Sequence, residues 1–272
     1  MHTAAAIPPE WDRAVAYGDG LFETMVVFDG AVPLLAYHQQ RLHDSLQRLA
    51  IACDLTLVEQ EITDFARRAG NGLLKLVIAR QGGPRGYDTR KATGTTVSMQ
   101  VFPLPQYPAH RRTDGIRLHL CRQRLAADPA LAGIKHLNRL QQAIAASELN
   151  REIAEEGLML DANGAIIEGT VSNVFLFAGG ELLTPRLDQC GVAGVMRAAI
   201  LHELAPSLGL PVRECRITLA DLLAADAVFV CNSVFGIWPV RSLGVSELQQ
   251  SPGLCKQFFN LLDSAGYGRL YG

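Results

Sequence analysis

Lys135 stands in Gly133-Ile-Lys-His-Leu-Asn138, between apolar Ile134 and Leu137. Apolar neighbours that draw an amine partly out of water favour its neutral form, which adds to a carbonyl to make a Schiff base. Taken alone, a lysine in such a place is more often a solvated surface residue. Glu168 closes the apolar run from Ala165 and is followed by Gly169-Thr-Val-Ser-Asn173. A carboxylate there, among hydroxyls and an amide, suits a polar site, and a solvated turn explains it as well. Gly191-Val-Ala-Gly194 leads straight into a helical stretch. Backbone N–H groups and the positive end of the helix dipole favour an anion there, phosphate above all. The same four residues also suit an ordinary loop. Arg41, in His38-Gln-Gln-Arg-Leu42, can grip a phosphate with two parallel hydrogen bonds or lie in water. Arg85 and Tyr87 follow Gln81-Gly-Gly-Pro84, a loop shaped either for a carboxylate or for plain exposure. Cys231-Asn-Ser233 puts small polar groups at the end of a buried strand, where ligand contacts and turn caps are both common.

Singly these are ordinary; jointly they form a chemical set. Pyridoxal phosphate needs a lysine for its aldehyde, an acid to keep the pyridine nitrogen protonated as an electron sink, and a cup for its phosphate. A dinucleotide-binding βαβ unit is disfavoured, because hairpin signals precede the glycine loop and the Gly-x-Gly-x-x-Gly spacing is absent.

The elements that must carry these groups read as α+β. Gly20 to Phe28 is rich in strand formers, Asp29-Gly30 is a hairpin turn, and Val32 to Leu35 is expected to resume the strand. Leu42, Leu46 and Leu49 recur at helical spacing over His38 to Leu49, and Val58 to Ala69 is a second amphipathic helix. Leu73 to Ala79 and Thr95 to Phe102 read as strands. Three prolines between Phe102 and Pro108 interrupt both ladder and helix, so residues 105–112 form the expected linker between domains 1–104 and 113–272.

Beyond it come a strand at Ile116 to Cys121 and a long helix over Ile134 to Glu155, with Leu137, Leu140, Ile144 and Leu149 expected inside. Hairpins turn at Asn163-Gly164 and Gly179-Gly180. Gly194 to Leu208 is a helix, Thr218 caps a short helix, and Ala227 to Cys231 is a buried strand. Hairpins mixed with helices in this way point to two α+β domains rather than a doubly wound parallel sheet.

Composition narrows the partners. The 272 residues carry a formal net charge of −2, which offers no electrostatic footprint for nucleic acid or an anionic membrane. No apolar run reaches the ~20 residues of a membrane helix, and no signal peptide is visible. The six cysteines lack a CxxC pair and a zinc-like histidine spacing; they read as reduced thiols of a cytoplasmic protein, with no metal expected.

The chain resembles the fold-type IV pyridoxal phosphate enzymes, which include branched-chain aminotransferases, D-amino-acid aminotransferases and aminodeoxychorismate lyases. The likeness runs from about Tyr17 to about Val240. It is carried in order by Tyr17-Gly-Asp-Gly-Leu-Phe-Glu-Thr24, His38-Gln-Gln-Arg-Leu42, Ile134-Lys-His-Leu-Asn-Arg139, Ile167-Glu-Gly-Thr-Val-Ser-Asn-Val-Phe175, Thr184-Pro-Arg-Leu-Asp188 and Gly191-Val-Ala-Gly-Val-Met-Arg197. The resemblance implies a two-domain α+β fold with Lys135 as Schiff-base lysine and proton shuttle. Glu168 then pairs with the pyridine nitrogen. Arg41 and the backbone N–H groups of Val195 and Met196 hold the phosphate. Ser172 and Asn173 line the cofactor, while Asn232 and Ser233 lie near phosphate and substrate. Thr170-Val-Ser-Asn173 departs from the Ser-Ser-Ser-Asn form of some relatives.

Within the family, Gly83-Pro-Arg-Gly-Tyr87, Gly133 to Leu140 and Thr184 to Gly191 look most like the lyase branch. That branch converts 4-amino-4-deoxychorismate to 4-aminobenzoate and pyruvate for folate synthesis. The branch implies Arg85, with Tyr87, for the substrate carboxylate, and a homodimer. An aminotransferase of the same fold is the second reading. A non-catalytic small-anion-binding protein is the third.

Overall fold

A computed structural model describes residues 12–82 and 86–264. The chain divides into two compact units, one running up to Leu104 and taking in Lys135–Asn138, the other comprising Pro105–Ile134 and the residues from Arg139 onward.

The first unit is built on a three-stranded antiparallel sheet of β1 (Gly20–Val27), β2 (Gly72–Gln81) and β3 (Gly94–Phe102), in the order β1-β2-β3. Successive strand residues point to opposite faces. Leu21, Met25 and Val27 of β1 therefore join Leu74, Leu76 and Ile78 of β2 on one face. The helices Leu35–Arg48 and Leu55–Ala69 cover it with Leu42, Leu46, Val58, Ile62 and Ala66. Asp54 caps the second helix through the Leu57 N–H. The expected second arm at Val32 to Leu35 does not form. Only Phe28 and Ala31 bridge, and the chain enters its helix at Leu35. Asp29 (φ 48°) and Gly30 (φ 75°) make the turn, but β1 already has β2 as its full-length partner, so Val32 and Leu35 pack on the core instead.

The segment Lys135–Asn138 supplies the other edge of β1. The Phe22 N–H donates to the Lys135 carbonyl at 3.0 Å, the Leu137 N–H donates to the Gly20 carbonyl at 3.0 Å, and Leu21 bridges to His136. This pairing explains a failed expectation. The helix foreseen over Ile134 to Glu155 is reduced to Leu140–Ser147, because the residues before it are spent on strand-like pairing. Leu140 and Ile144 consequently face out, 72% and 43% exposed, while Ala145 is buried.

The second unit holds a nine-stranded mixed sheet: β4 (Ile116–Leu125), β5 (Glu156–Asp161), β6 (Ile166–Gly169), β7 (Asn173–Ala178), β8 (Glu181–Pro185), β9 (Val212–Cys215), β10 (Ala227–Asn232), β11 (Gly236–Leu243) and β12 (Ser246–Glu247). The order is β6-β5-β4-β11-β10-β7-β8-β9, with β12 on β11. The hairpins β5–β6 and β7–β8 form at the two turns expected, whereas β4–β5, β4–β11 and β8–β9 pair in parallel. Residues 105–112 are tied to this unit: the Tyr107 ring meets Trp238 edge-on at 4.8 Å, and the Arg111 guanidinium lies 5.2 Å from the Trp238 ring centroid. Thr218 and Asp221 form a reciprocal cap on the helix Leu219–Ala224. The helix that begins at Val195 runs to Ser207 but widens to a π turn over Ile200–Leu204. Pro206 lies just beyond; it has no N–H to give, and its ring would strike a carbonyl one turn back in a regular helix.

Candidate active site

In the first unit the helix Leu35–Arg48 presents His38 and Arg41, one turn apart, to Glu23 of β1. The Arg41 Nε–H donates to Glu23 Oε1 at 2.7 Å and its Nη2 donates to Oε2, while His38 Nδ1 lies 2.7 Å from Oε2. Glu23 and His38 are each 1% exposed, and Arg41 is 11% exposed at its side chain. Burial alone would raise the Glu23 carboxyl, but Arg41 and His38 overcome it and hold it down at about 2. Burial pushes His38 below its ordinary value, with Glu23 opposing and the charges of Arg41 and Lys135 reinforcing the fall. An ionised Glu23 can only accept, so the His38 proton sits on Nδ1.

The Lys135 ammonium nitrogen lies 4.4 Å from the centroid of the Phe22 ring, next to Glu23 on β1. The lysine is half-buried and its backbone is pinned to β1 by the hydrogen bond from Phe22. Gly18, at φ 62°, has no room for a side chain: a Cβ would sit 2.3 Å from Asn138 Oδ1. The start of β1 and the lysine segment thus close on each other through a position that only glycine fills. Asp19 accepts from Arg13 Nε at 2.8 Å and Arg80 Nε at 3.1 Å, and Tyr17 accepts from the Gly86 N–H through its hydroxyl at 3.0 Å. Tyr87 stands 85% exposed with its ring 5.2 Å from that of Tyr17. Arg85 lies outside the described residues.

In the second unit Glu168 is 4% exposed at the end of β6. Its Oε2 accepts from the Val192 N–H at 2.7 Å and its Oε1 from Gln142 Nε2 at 3.1 Å. Asn173 Nδ2 donates to the Val192 carbonyl at 2.9 Å. Glu168 and Asn173 therefore clamp the Gly191–Gly194 loop at Val192, one on its N–H and the other on its carbonyl. Gly191 turns at φ 88°, and a Cβ there would lie 2.7 Å from Ile167 Cγ2 and 3.4 Å from Glu168 Oε2. Gly194 is the N-cap of the following helix and supplies no side-chain cap, so the first-turn N–H groups at Val195 and Met196 are left for another acceptor. Both residues are buried. Within the first unit a lysine lies over an aromatic ring, and within the second stand uncapped N–H groups and a clamped carboxylate; taken by chemical type, these fit the aldehyde, the phosphate and the pyridinium of pyridoxal phosphate.

Other expected residues have protein partners. Thr170 and Ser172 turn their hydroxyls inward to Glu156, which is 2% exposed and which burial pushes above its ordinary value despite those bonds. Val171, between them, points out at 67% exposure. Asn232 Oδ1 caps the Val234 and Phe235 N–H groups at 2.8 Å each, and its Nδ2 holds the Val171 carbonyl at 3.0 Å. Ser233 sits in the turn that follows. Glu23, His38, Gln142 and Glu156 were not foreseen. Glu23 had a signal: strand alternation through Leu21, Met25 and Val27 places it on the core face, where an unpaired carboxylate is untenable. Among the described residues no cluster could hold a metal, and no helix is long and apolar enough to cross a membrane.

Known proteins share this architecture. The chain is 33% identical over 241 residues to the aminodeoxychorismate lyase of Vibrio harveyi, covering 88% of each. It superposes on the crystal structure of 4-amino-4-deoxychorismate lyase from Pseudomonas aeruginosa with a TM-score of 0.90, at 42% identity and 96% coverage of both chains. On the branched-chain amino acid aminotransferase of Escherichia coli the TM-score is 0.81 at 27% identity, covering 93% of this chain and 87% of that one. The family model described as amino-transferase class IV matches residues 20–243, and the chain belongs to that family.

Proposed function

We propose that this chain is a pyridoxal phosphate-dependent lyase that converts 4-amino-4-deoxychorismate to 4-aminobenzoate and pyruvate, serving folate synthesis. The observation that carries this reading is the 42% identity over 96% of the chain to a lyase, against 27% to an aminotransferase of the same fold. Lys135 would hold the cofactor aldehyde, Glu168 its pyridine nitrogen, and Arg41 with the N–H groups of Val195 and Met196 its phosphate. Ser172, Asn173, Asn232 and Ser233 shape the surrounding loops, and Arg85 with Tyr87 meets the substrate carboxylate. When bound, pyridoxal phosphate supplies an aldehyde for an amine and a protonated ring that takes up electrons.

The clamp on Glu168 from Val192 and Gln142 fixes its carboxylate in one orientation, which a hydrogen bond to a ring nitrogen requires. Lys135 Nζ takes the proton from the substrate carbon that bears nitrogen. The C–O bond on the neighbouring carbon breaks, the ring becomes aromatic, and the released enolpyruvate takes a proton on its methylene to become pyruvate. The reaction is redox-neutral and consumes no co-substrate. A transaminase would share Lys135 and Glu168 but require a 2-oxo acid acceptor. We also propose a homodimer in the cytoplasm, the latter supported by six free cysteines.

The test mixes cofactor-loaded protein with 4-amino-4-deoxychorismate generated in place. Equal amounts of 4-aminobenzoate and pyruvate without added 2-oxo acid are expected, and Lys135→Ala should abolish both. Amino-group transfer from amino acids to a 2-oxo acid, with no 4-aminobenzoate, would move the reading to aminotransferase. Full turnover by Lys135→Ala would overturn the role of the lysine.

A further inference from the structure

Glu23 is a carboxylate on a face otherwise built of Leu21, Met25 and Val27. Burying an ion pair is weak evidence for stability, since a well-packed apolar residue of similar size often serves the core equally well. The pair must therefore be judged by what it does to its partner. Glu23 takes two of the five guanidinium N–H groups of Arg41, from Nε and Nη2, in the forked geometry that fixes a guanidinium plane. His38 closes the third side by donating its Nδ1–H to the same Oε2 that Nη2 uses. A long arginine side chain would otherwise lose rotamer freedom on meeting an anion. Here Glu23 already holds it in one plane.

We propose that Glu23, braced by His38, is a positioning residue that aims the Arg41 guanidinium and so gives the site its preference for a phosphorylated ligand. The inference rests on the reading above that Arg41 meets the cofactor phosphate. Two opposite effects of Glu23 make it testable. As a neighbouring negative charge it weakens the pull of Arg41 on an anion. As a brace it strengthens that pull by removing the cost of ordering. If charge compensation were its whole effect, Glu23→Gln would tighten phosphate binding; if the brace dominates, the same change loosens it.

The experiment titrates cofactor-free protein with pyridoxal phosphate and with pyridoxal, which keeps the aldehyde and ring but lacks the phosphate, and follows the absorbance of the bound aldehyde. The ratio of the two affinities is the readout. Pyridoxal binding also reports whether each variant is folded. Wild type should prefer the phosphorylated form. Glu23→Gln should lower that preference about tenfold or more, with pyridoxal affinity unchanged. Glu23→Asp keeps the charge but is one methylene too short to reach both partners, so it should also lose preference. In an Arg41→Ala background, Glu23→Gln should change the ratio no further. An unchanged or increased preference in Glu23→Gln, or a wild-type ratio in Glu23→Asp, overturns the inference while leaving the function standing. A wild type with no preference for the phosphorylated form overturns the functional reading and this inference together.

Discussion

Gly194→Ala isolates the packing of the Gly191–Gly194 loop from every backbone effect. Gly194 has φ −66° and ψ 142°, which alanine adopts freely, so strain contributes nothing. The cost is steric. The new Cβ would sit 2.0 Å from Asn173 Oδ1 and 3.2 Å from its Cγ. Asn173 is 5% exposed and its Nδ2 is committed to the Val192 carbonyl, so it cannot yield without breaking that bond. Overpacking of this kind costs about 1–3 kcal/mol, and the lost hydrogen bond about 1 kcal/mol more. Reduced freedom of the unfolded chain returns about 0.4–1 kcal/mol. The net is about 1–3 kcal/mol. At roughly 2–4 °C per kcal/mol for a chain of this length, thermal unfolding should shift down by about 2–12 °C.

A double-mutant cycle gives the decisive number. In an Asn173→Ala background the obstacle is gone, so Gly194→Ala should be neutral or slightly stabilising there. Calorimetry or circular dichroism on the four proteins reads both values. Equal destabilisation in the two backgrounds would refute the collision, and no effect in wild type would refute the clamped geometry of the loop.

Acid should weaken the first unit through Glu23. Its carboxyl is held at about 2 against an ordinary 4.5, so its contribution is present above about pH 4.5 and is lost as pH falls toward 2. That difference is on the order of 3 kcal/mol, and urea midpoints of wild type and Glu23→Gln should converge over this window. Glu156 has the opposite sign. Its folded value is raised, so the ionised form costs stability, and that cost appears as pH rises through the raised value. Glu156→Gln keeps an acceptor for Thr170 and Gly157 and lets the Ser172 hydroxyl accept, so it should be neutral to stabilising at pH 8; a loss above ~2 kcal/mol in denaturant midpoint would contradict this. Burial raises the thiols of Cys121 to about 12 and of Cys190 and Cys255 to about 11, and pushes Cys231 upward too. Half-buried Cys53 and Cys215 should react first with a maleimide in peptide-mapped labelling of the native protein; early labelling of Cys231 would argue against the buried β10.

Most strands, and the hairpins at Gly164 and Gly179, were legible because their signals are local. The apolar run around Leu74 to Ile78, the turns at Gly164 and Gly179, and the Thr218 cap each depend on neighbours within a few residues. Expectations failed where a distant partner decided the outcome. Leu140 and Ile144 have helical spacing, yet β1 claims the residues before them and rotates both outward. The polar groups divide the same way. Glu168 and the glycine loop stood out through their motifs. The buried Glu23–His38 and Glu156–Thr170–Ser172 sets join residues 14 to 16 positions apart, and their pairing appears only once β1 and β5 are placed.

The lysine segment has a consequence for how the chain is made. β1 is an edge strand of its three-stranded sheet, and the segment Lys135–Asn138 is what covers that edge. A ribosome has to deliver about thirty further residues after Leu104 before the cover exists. Until then an apolar strand displays unpaired backbone groups, the template on which chains stack edge to edge. A truncation at the apparent boundary would make this interval permanent. The piece that looks self-sufficient in the sequence would be left with a sticky margin, and the residue nominated for chemistry belongs to the strip that seals it.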